Sequence, residues 1–157
     1  MEILRKDKIR QWADQMAKNR NKWINKNKFF YQNDWDYMKF LISPNQRILE
    51  LGCGTGRLLN ELQPSYGVGV DISENMVGEA KKSYPHLEFI VNDVEDSQFI
   101  KSLQGTFDII ILSDTIGYLD DCETFLSSLH CLCSSNTRLV ISYFSWYWGP
   151  LLKLTEL

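Results

Sequence analysis

The chain has 157 residues, 44% of them apolar and 24% charged, with a net charge of −3; that size and balance fit one globular domain with a real hydrophobic core and exclude global disorder and low complexity. No apolar run approaches the ~20 residues of a membrane helix, and Met1-Glu2-Ile3-Leu4-Arg5-Lys6-Asp7 lacks the apolar stretch of a signal peptide, so the expected location is the cytoplasm. Cys53, Cys122, Cys131 and Cys133 match neither a zinc site nor a secreted disulfide framework, and His86 and His130 lack partner ligands at usable spacing; no metal is expected, and the thiols should be reduced fillers of small apolar spaces.

Residues 1–45 form an arm distinct in charge. Nine basic residues against Glu2, Asp7 and Asp14 make residues 1–30 +6, which leaves −9 for the rest. Ile9, Trp12, Ala13 and Met16 fall at helical spacing, so the favoured expectation is an amphipathic helix with its charges in solvent. The second reading is a patch for an anionic substrate, lipid surface or nucleic acid, without a strong nucleic-acid signal. Phe29, Phe30, Tyr31, Trp35 and Tyr37 follow as a core-packing helix or part of a binding pocket.

From residue 46 to 157, short β-branched runs alternate with helical patterns. Strands are expected at 47–51, 67–70, 87–91, 107–112 and 138–143, each apolar as strands covered on both faces should be. Helices are marked by Leu58, Leu59 and Leu62, by Met76, Val77 and Ala80, and by Phe125, Leu126, Leu129 and Leu132. The alternation predicts an α/β fold with a doubly wound, mostly parallel sheet and right-handed crossovers, whose ligands bind beyond the carboxyl ends of the strands where the strand order reverses.

Three strand ends carry chemistry at that edge. The first runs into Glu50-Leu51-Gly52-Cys53-Gly54-Thr55-Gly56-Arg57, where glycine at every second position lets backbone touch a ligand and the helix start behind offers N–H groups to an anion. A dinucleotide fingerprint starting at Gly52 requires glycine where Arg57 stands, which disfavours a nicotinamide-dependent oxidoreductase. The second ends in Asp71, placed to accept from two ribose hydroxyls, with Ser73 suited to cap the next helix and leave Asp71 free. At the third, Asp93 and the Val94 N–H offer an acceptor and a donor to adenine.

These segments, with Ile72, Met76 and Asp108 leading to Ser113-Asp114, resemble in order and spacing the successive motifs of class I S-adenosylmethionine-dependent methyltransferases. The resemblance implies a Rossmann-like three-layer αβα fold and S-adenosylmethionine as cofactor. It assigns Glu50, Gly52, Gly54 and Gly56 to the methionine portion, Asp71 to the ribose, Asp93 and Val94 to adenine, Ile72 and Met76 to the adenosine flank, and Ser113 to the reacting end. Asp114 and Tyr118, just beyond the fourth strand, are the candidates for acceptor binding or proton removal; loop capping and packing are equal alternatives for them. More narrowly, 113–121 and 148–154 are similar to the methyltransferase half of bacterial chains that also carry a family 2 glycosyltransferase, which implies an acceptor in glycan or glycolipid assembly. A catalytically inert cofactor-binding or interaction module is the alternative function. Members of the family add two strands after the fifth; here only fourteen residues follow Tyr143, so the fifth strand is expected at an open edge that favours a homodimer or another partner.

Overall fold

The computed structural model describes residues 4–143. Five strands, β1 (Arg47–Leu51), β2 (Tyr66–Asp71), β3 (Glu88–Val91), β4 (Phe107–Ser113) and β5 (Cys133–Ser142), form one all-parallel sheet in the order β3-β2-β1-β4-β5. The chain winds outward from β1 to β3, then returns to the other side of β1, so the order reverses between β1 and β4. Loops leaving those two strands diverge there and open a crevice at their carboxyl ends.

Alternation along β1 divides the core. Ile48 faces a layer with Leu58, Leu59, Val77, Ala80 and Phe89, built on α3 (Arg57–Glu61) and α4 (Glu74–Ser83). Leu49 and Leu51 face the opposite layer with Ile100, Phe125 and Leu129, built on α5 (Ser97–Ser102), α6 (Cys122–Ser128) and the 3₁₀ turn Leu129–Leu132. This is the doubly wound sheet that the alternation predicts, in the three-layer αβα arrangement that the resemblance implies. The arm folds as α1 (Arg5–Lys26) and α2 (Lys28–Leu41), and Ile24, Trp35, Met38 and Ile42 join the first layer, so the arm shares a core with the sheet.

Several expectations are corrected. The short helix α5 has no strong periodicity; Asp96 starts it by accepting the N–H groups of Gln98 and Phe99. The helical pattern reaching Leu132 ends at Ser128 and tightens into a 3₁₀ turn, and β5 then begins at Cys133, five residues early. Among the described residues β5 lies at the edge of the sheet, and its Leu139 and Ile141 are exposed. Of the four free thiols only Cys53 fills a buried space; Cys122, Cys131 and Cys133 are exposed. Among the described residues no helix is long and apolar enough to cross a membrane, and no cluster of metal-ligating side chains occurs. The aromatic run following Tyr143 lies outside the described residues.

Candidate functional site: a cleft between the strand ends and the arm

The loop after β1 turns on glycines with different reasons to be glycine. A β-carbon on Gly52 would sit 2.0 Å from the Thr115 hydroxyl oxygen, and one on Gly56 would sit 2.4 Å from the Phe89 ring. These two positions let Thr115, just beyond β4, and Phe89 on β3 close against the loop. Gly54 has a φ of +51° and nothing within 4 Å of its missing β-carbon, so its bare backbone faces a cavity of about 360 Å³. Gly52, Asp71, Ile72, Met76, Asp93 and Val94 line the same cavity from β1, β2 and β3; Ser113, Asp114 and Tyr118 line it from the β4 end. Gly56 and Glu50 do not.

Glu50 points from β1 into the layer of α3 and is almost fully buried, where it accepts the Leu59 N–H at 3.1 Å. Burial, aided by the nearby Asp71 charge, pushes its carboxyl up to about 8. Glu50 lines a second, smaller cavity of about 100 Å³ under α2, whose wall shares Arg20, Gly52, Gly54, Ser113 and Asp114 with the larger one.

Asp71 is not free as expected. Its two oxygens accept the Gly54 N–H at 2.8 Å and the Ser73 N–H at 2.9 Å, which ties the β1 and β2 loops together. Ser73 does cap α4, accepting from the Met76 N–H at 3.1 Å. Each Asp71 oxygen keeps a second lone pair. Burial raises its pKa despite these two bonds. Asp93 is engaged as well: both its oxygens lie 2.8 Å from the Lys6 ammonium, and Glu95 pairs with the same ammonium. Burial works against the charge on Lys6, but these hydrogen bonds outweigh it and hold the pKa above the usual lysine value.

The arm therefore closes the cleft. Arg5 pairs with Asp120 and donates to the carbonyls of Gly117 and Tyr118 at 3.1 and 3.0 Å; Asp14 accepts from the Ser73 hydroxyl; Asn21 accepts from the Thr55 hydroxyl at 3.0 Å. Trp12 stacks on Tyr118 with ring centroids 6.5 Å apart. The expectation that the arm's charges point to solvent thus fails for Lys6 and Arg20, which are partly buried at the cleft, whereas Arg5 stays exposed while it makes these contacts. The basic arm meets acidic strand ends, and opposite charges draw it across them. In the aromatic segment Trp35 is core, whereas Phe29 and Tyr37 are exposed. His130 is exposed in the 3₁₀ turn Leu129–Leu132 and His86 before β3, both away from the cleft.

One residue of the cleft carries no signal in the sequence. Thr115 is buried and donates to Leu51 O at 2.9 Å, pinning the β4 end to the β1 end, but only its contact with Gly52 reveals the role. Asp114 has a φ of +55°, a left-handed conformation that non-glycine residues adopt mainly where surroundings impose it. Its position at the switch point and on both cavities makes that strain notable.

A parallel sheet in this order, with a glycine turn after β1 and carboxylates after β2 and β3, is the class I methyltransferase fold. The chain belongs to the methyltransferase-domain family, whose model matches residues 4–156. It is 32% identical over 104 residues to malonyl-(acyl-carrier protein) O-methyltransferase of Halalkalibacterium halodurans, covering 62% of this chain and 38% of that relative's length. Among solved structures, magnesium protoporphyrin IX methyltransferase of Synechocystis PCC 6803 with bound S-adenosylmethionine aligns at TM-score 0.69 and 21% identity, over 92% of this chain and 78% of that one. An S-adenosylmethionine-dependent methyltransferase of Thermotoga maritima aligns at TM-score 0.71 and 23% identity, over 91% and 67%.

Proposed function

We propose that the cleft binds S-adenosylmethionine and that the chain transfers its methyl group to an acceptor. The observation that carries this reading is the cavity lined together by Gly54, Asp71, Asp93 and Val94, at the switch point of a sheet from this family. Its volume of about 360 Å³ falls in the range of small-molecule sites. S-Adenosylmethionine brings an activated methyl on a sulfonium, which an acceptor displaces in line to leave S-adenosylhomocysteine.

The residues supply position. Asp93 and Val94 receive adenine, Asp71 the ribose through its remaining lone pairs, and Ile72 and Met76 flank the adenosine. Gly52 and Gly54 admit the methionine portion, Gly56 sets the turn behind them, and Glu50 approaches from the smaller cavity. Ser113 stands at the reacting end. Asp114 and Tyr118 border the opening and are the residues proposed to bind the acceptor or take its proton. Alignment of this kind supplies ~7–11 kcal/mol of a barrier, whereas a base adds only ~10²–10⁴-fold, so positioning carries most of the rate.

Calorimetric titration with S-adenosylhomocysteine tests the site. Asp71→Ala is expected to weaken binding by about 1.5–3 kcal/mol, the worth of a hydrogen bond to a charged group; unchanged affinity refutes the assignment. An acceptor in glycan or glycolipid assembly is supported only by the resemblance of 113–121 and 148–154, of which the second lies outside the described residues. Exposed Leu139 and Ile141 on the edge strand support self-association or a partner there, and sedimentation over a concentration series that finds only monomer ends the self-association proposal.

A further inference from the structure

The arm has an outer face that the cleft does not use. On α1 the buried residues are Ala13, Ala17 and Ile24, and on α2 they are Trp35 and Met38, with Tyr31 packed on the same core. Their spacings of three, four or seven residues keep one helical phase across Asn27, whose N–H donates to the Trp23 carbonyl and whose own carbonyl accepts from the Tyr31 N–H. The opposite side of both helices therefore carries one continuous outward stripe, its members one or two turns apart. It runs through Lys18, Lys22 and Lys26 on α1 and then Phe29, Tyr37 and Phe40 on α2, all of them exposed.

Neither half of the stripe is satisfied within the described chain. Phe29 and Phe40 are each 83% exposed and Tyr37 60%, and among the described residues none of the three stacks on another ring. Among the same residues Lys18, Lys22 and Lys26 have no carboxylate within ion-pair distance, and no acidic residue lies between Asp14 and Asp34 in the sequence. Asp36, beside Tyr37, is paired with Lys39 at 3.2 Å and so does not offset the lysines. Like charges at successive turns repel, and aromatic surface is unfavourable in water. A partner that is anionic at its surface and apolar just beneath relieves both.

We propose that this stripe docks the protein on an anionic lipid bilayer, with Lys18, Lys22 and Lys26 among the headgroup phosphates and Phe29, Tyr37 and Phe40 in the interface below them. Interfacial helices bind by adding buried apolar area to attraction for anionic lipid, and the shared phase of α1 and α2 turns both contributions to one side. The segregation of charge from rings favours a bilayer over a nucleic acid. Single strands are held in a basic groove that tracks the backbone while rings stack on successive bases, whereas here the cations occupy α1 and the rings α2. The cleft is lined by Ala13 and Met16 from the inner side of α1, so docking uses the other side of that helix and does not depend on the cofactor reading.

Flotation of the whole chain with vesicles tests the surface. Vesicles of phosphatidylcholine and phosphatidylglycerol in equal parts should carry the protein at low salt, and vesicles of phosphatidylcholine alone should carry little. Salt at about 1 M, where the screening length falls to ~3 Å, should release most of it. Combining Lys18→Gln, Lys22→Gln and Lys26→Gln is expected to weaken binding to the mixed vesicles about tenfold or more. Phe29→Gln with Phe40→Gln is expected to weaken it about tenfold through lost apolar burial. All five positions are exposed, so both variants should melt within a few degrees of the wild type. Absence of wild-type binding to the mixed vesicles, equal binding to both kinds, or variants that bind like the wild type overturns the proposal. A chain that binds a single-stranded oligonucleotide but not vesicles moves the stripe to nucleic acid. One that binds no vesicles and loses self-association with the two phenylalanines moves it to a second copy, and either result overturns the lipid assignment.

Discussion

The two walls of the cleft are built on different physics. The core wall is backbone and buried carboxylate: Gly52 and Gly54 in left-handed conformations, Asp71 tied to two N–H groups, Thr115 pinned between β1 and β4. The arm wall is long or aromatic side chains with solvent access: Lys6 in an ion pair, Trp12 on Tyr118, Arg20 over Tyr31. Core groups are fixed before any ligand arrives. Arm groups are held by contacts that a ligand can replace, so affinity is expected to depend on the core wall and access and selectivity on the arm wall.

The largest expected effect breaks the core wall without touching the fold. Gly54→Val places a side chain into the open cavity; the strained φ costs about 1–2 kcal/mol, and binding of S-adenosylhomocysteine should be lost in a protein that still melts cooperatively. Retained affinity in folded Gly54→Val protein would show that the ligand does not approach this backbone.

A smaller effect concerns the buried carboxyl behind that wall. The folded-state pKa of Glu50 is raised from 4.5 to about 8, so between those values the folded chain keeps a proton that the unfolded chain has released. Stability contributed by this group is therefore lost as pH rises through that window. Glu50→Gln does not ionise and should flatten the fall in melting temperature between pH 5 and pH 8, leaving a residual slope in which Asp71, also raised, takes part. Parallel melting curves for the two proteins at both pH values would show that Glu50 is charged in the fold.

The smallest effect belongs to the arm. The Lys6, Asp93 and Glu95 cluster is partly exposed, and such pairs contribute about 1 kcal/mol or less. Lys6→Met should leave the melting temperature within a few degrees but speed amide exchange in the first turns of α1, with β1 and β4 unchanged. Unaltered exchange would mean that the packing of Ala13, Ala17 and Ile24, and not the ion pairs, holds the arm.

What was legible in the sequence follows the same division. Period and alternation identified β1 to β4 within a residue or two, because strands covered on both faces are continuous apolar runs. Helix α5, with only six residues, was too short for a period to register, and the first half of β5, Cys133 to Thr137, is small or polar, so only its apolar second half was recognised. The candidate residues at the strand ends were legible because one local pattern, strand then turn, places each of them. By contrast, the arm's charges were assigned to solvent, since amphipathic spacing states which side chains avoid water and not which acidic groups approach the others.

By itself the sequence determined the α/β class, the parallel winding and the edge of the sheet at which chemistry collects, because these depend on periodicity and on residues adjacent in the chain. Only the tertiary structure decided that Asp71 braces the glycine loop, that Asp93 pairs with Lys6 at the cavity wall, and that Thr115 requires Gly52. Those facts are distances between residues far apart in the chain, and a hydrogen-bond partner or a missing one is set by folding, not by spacing.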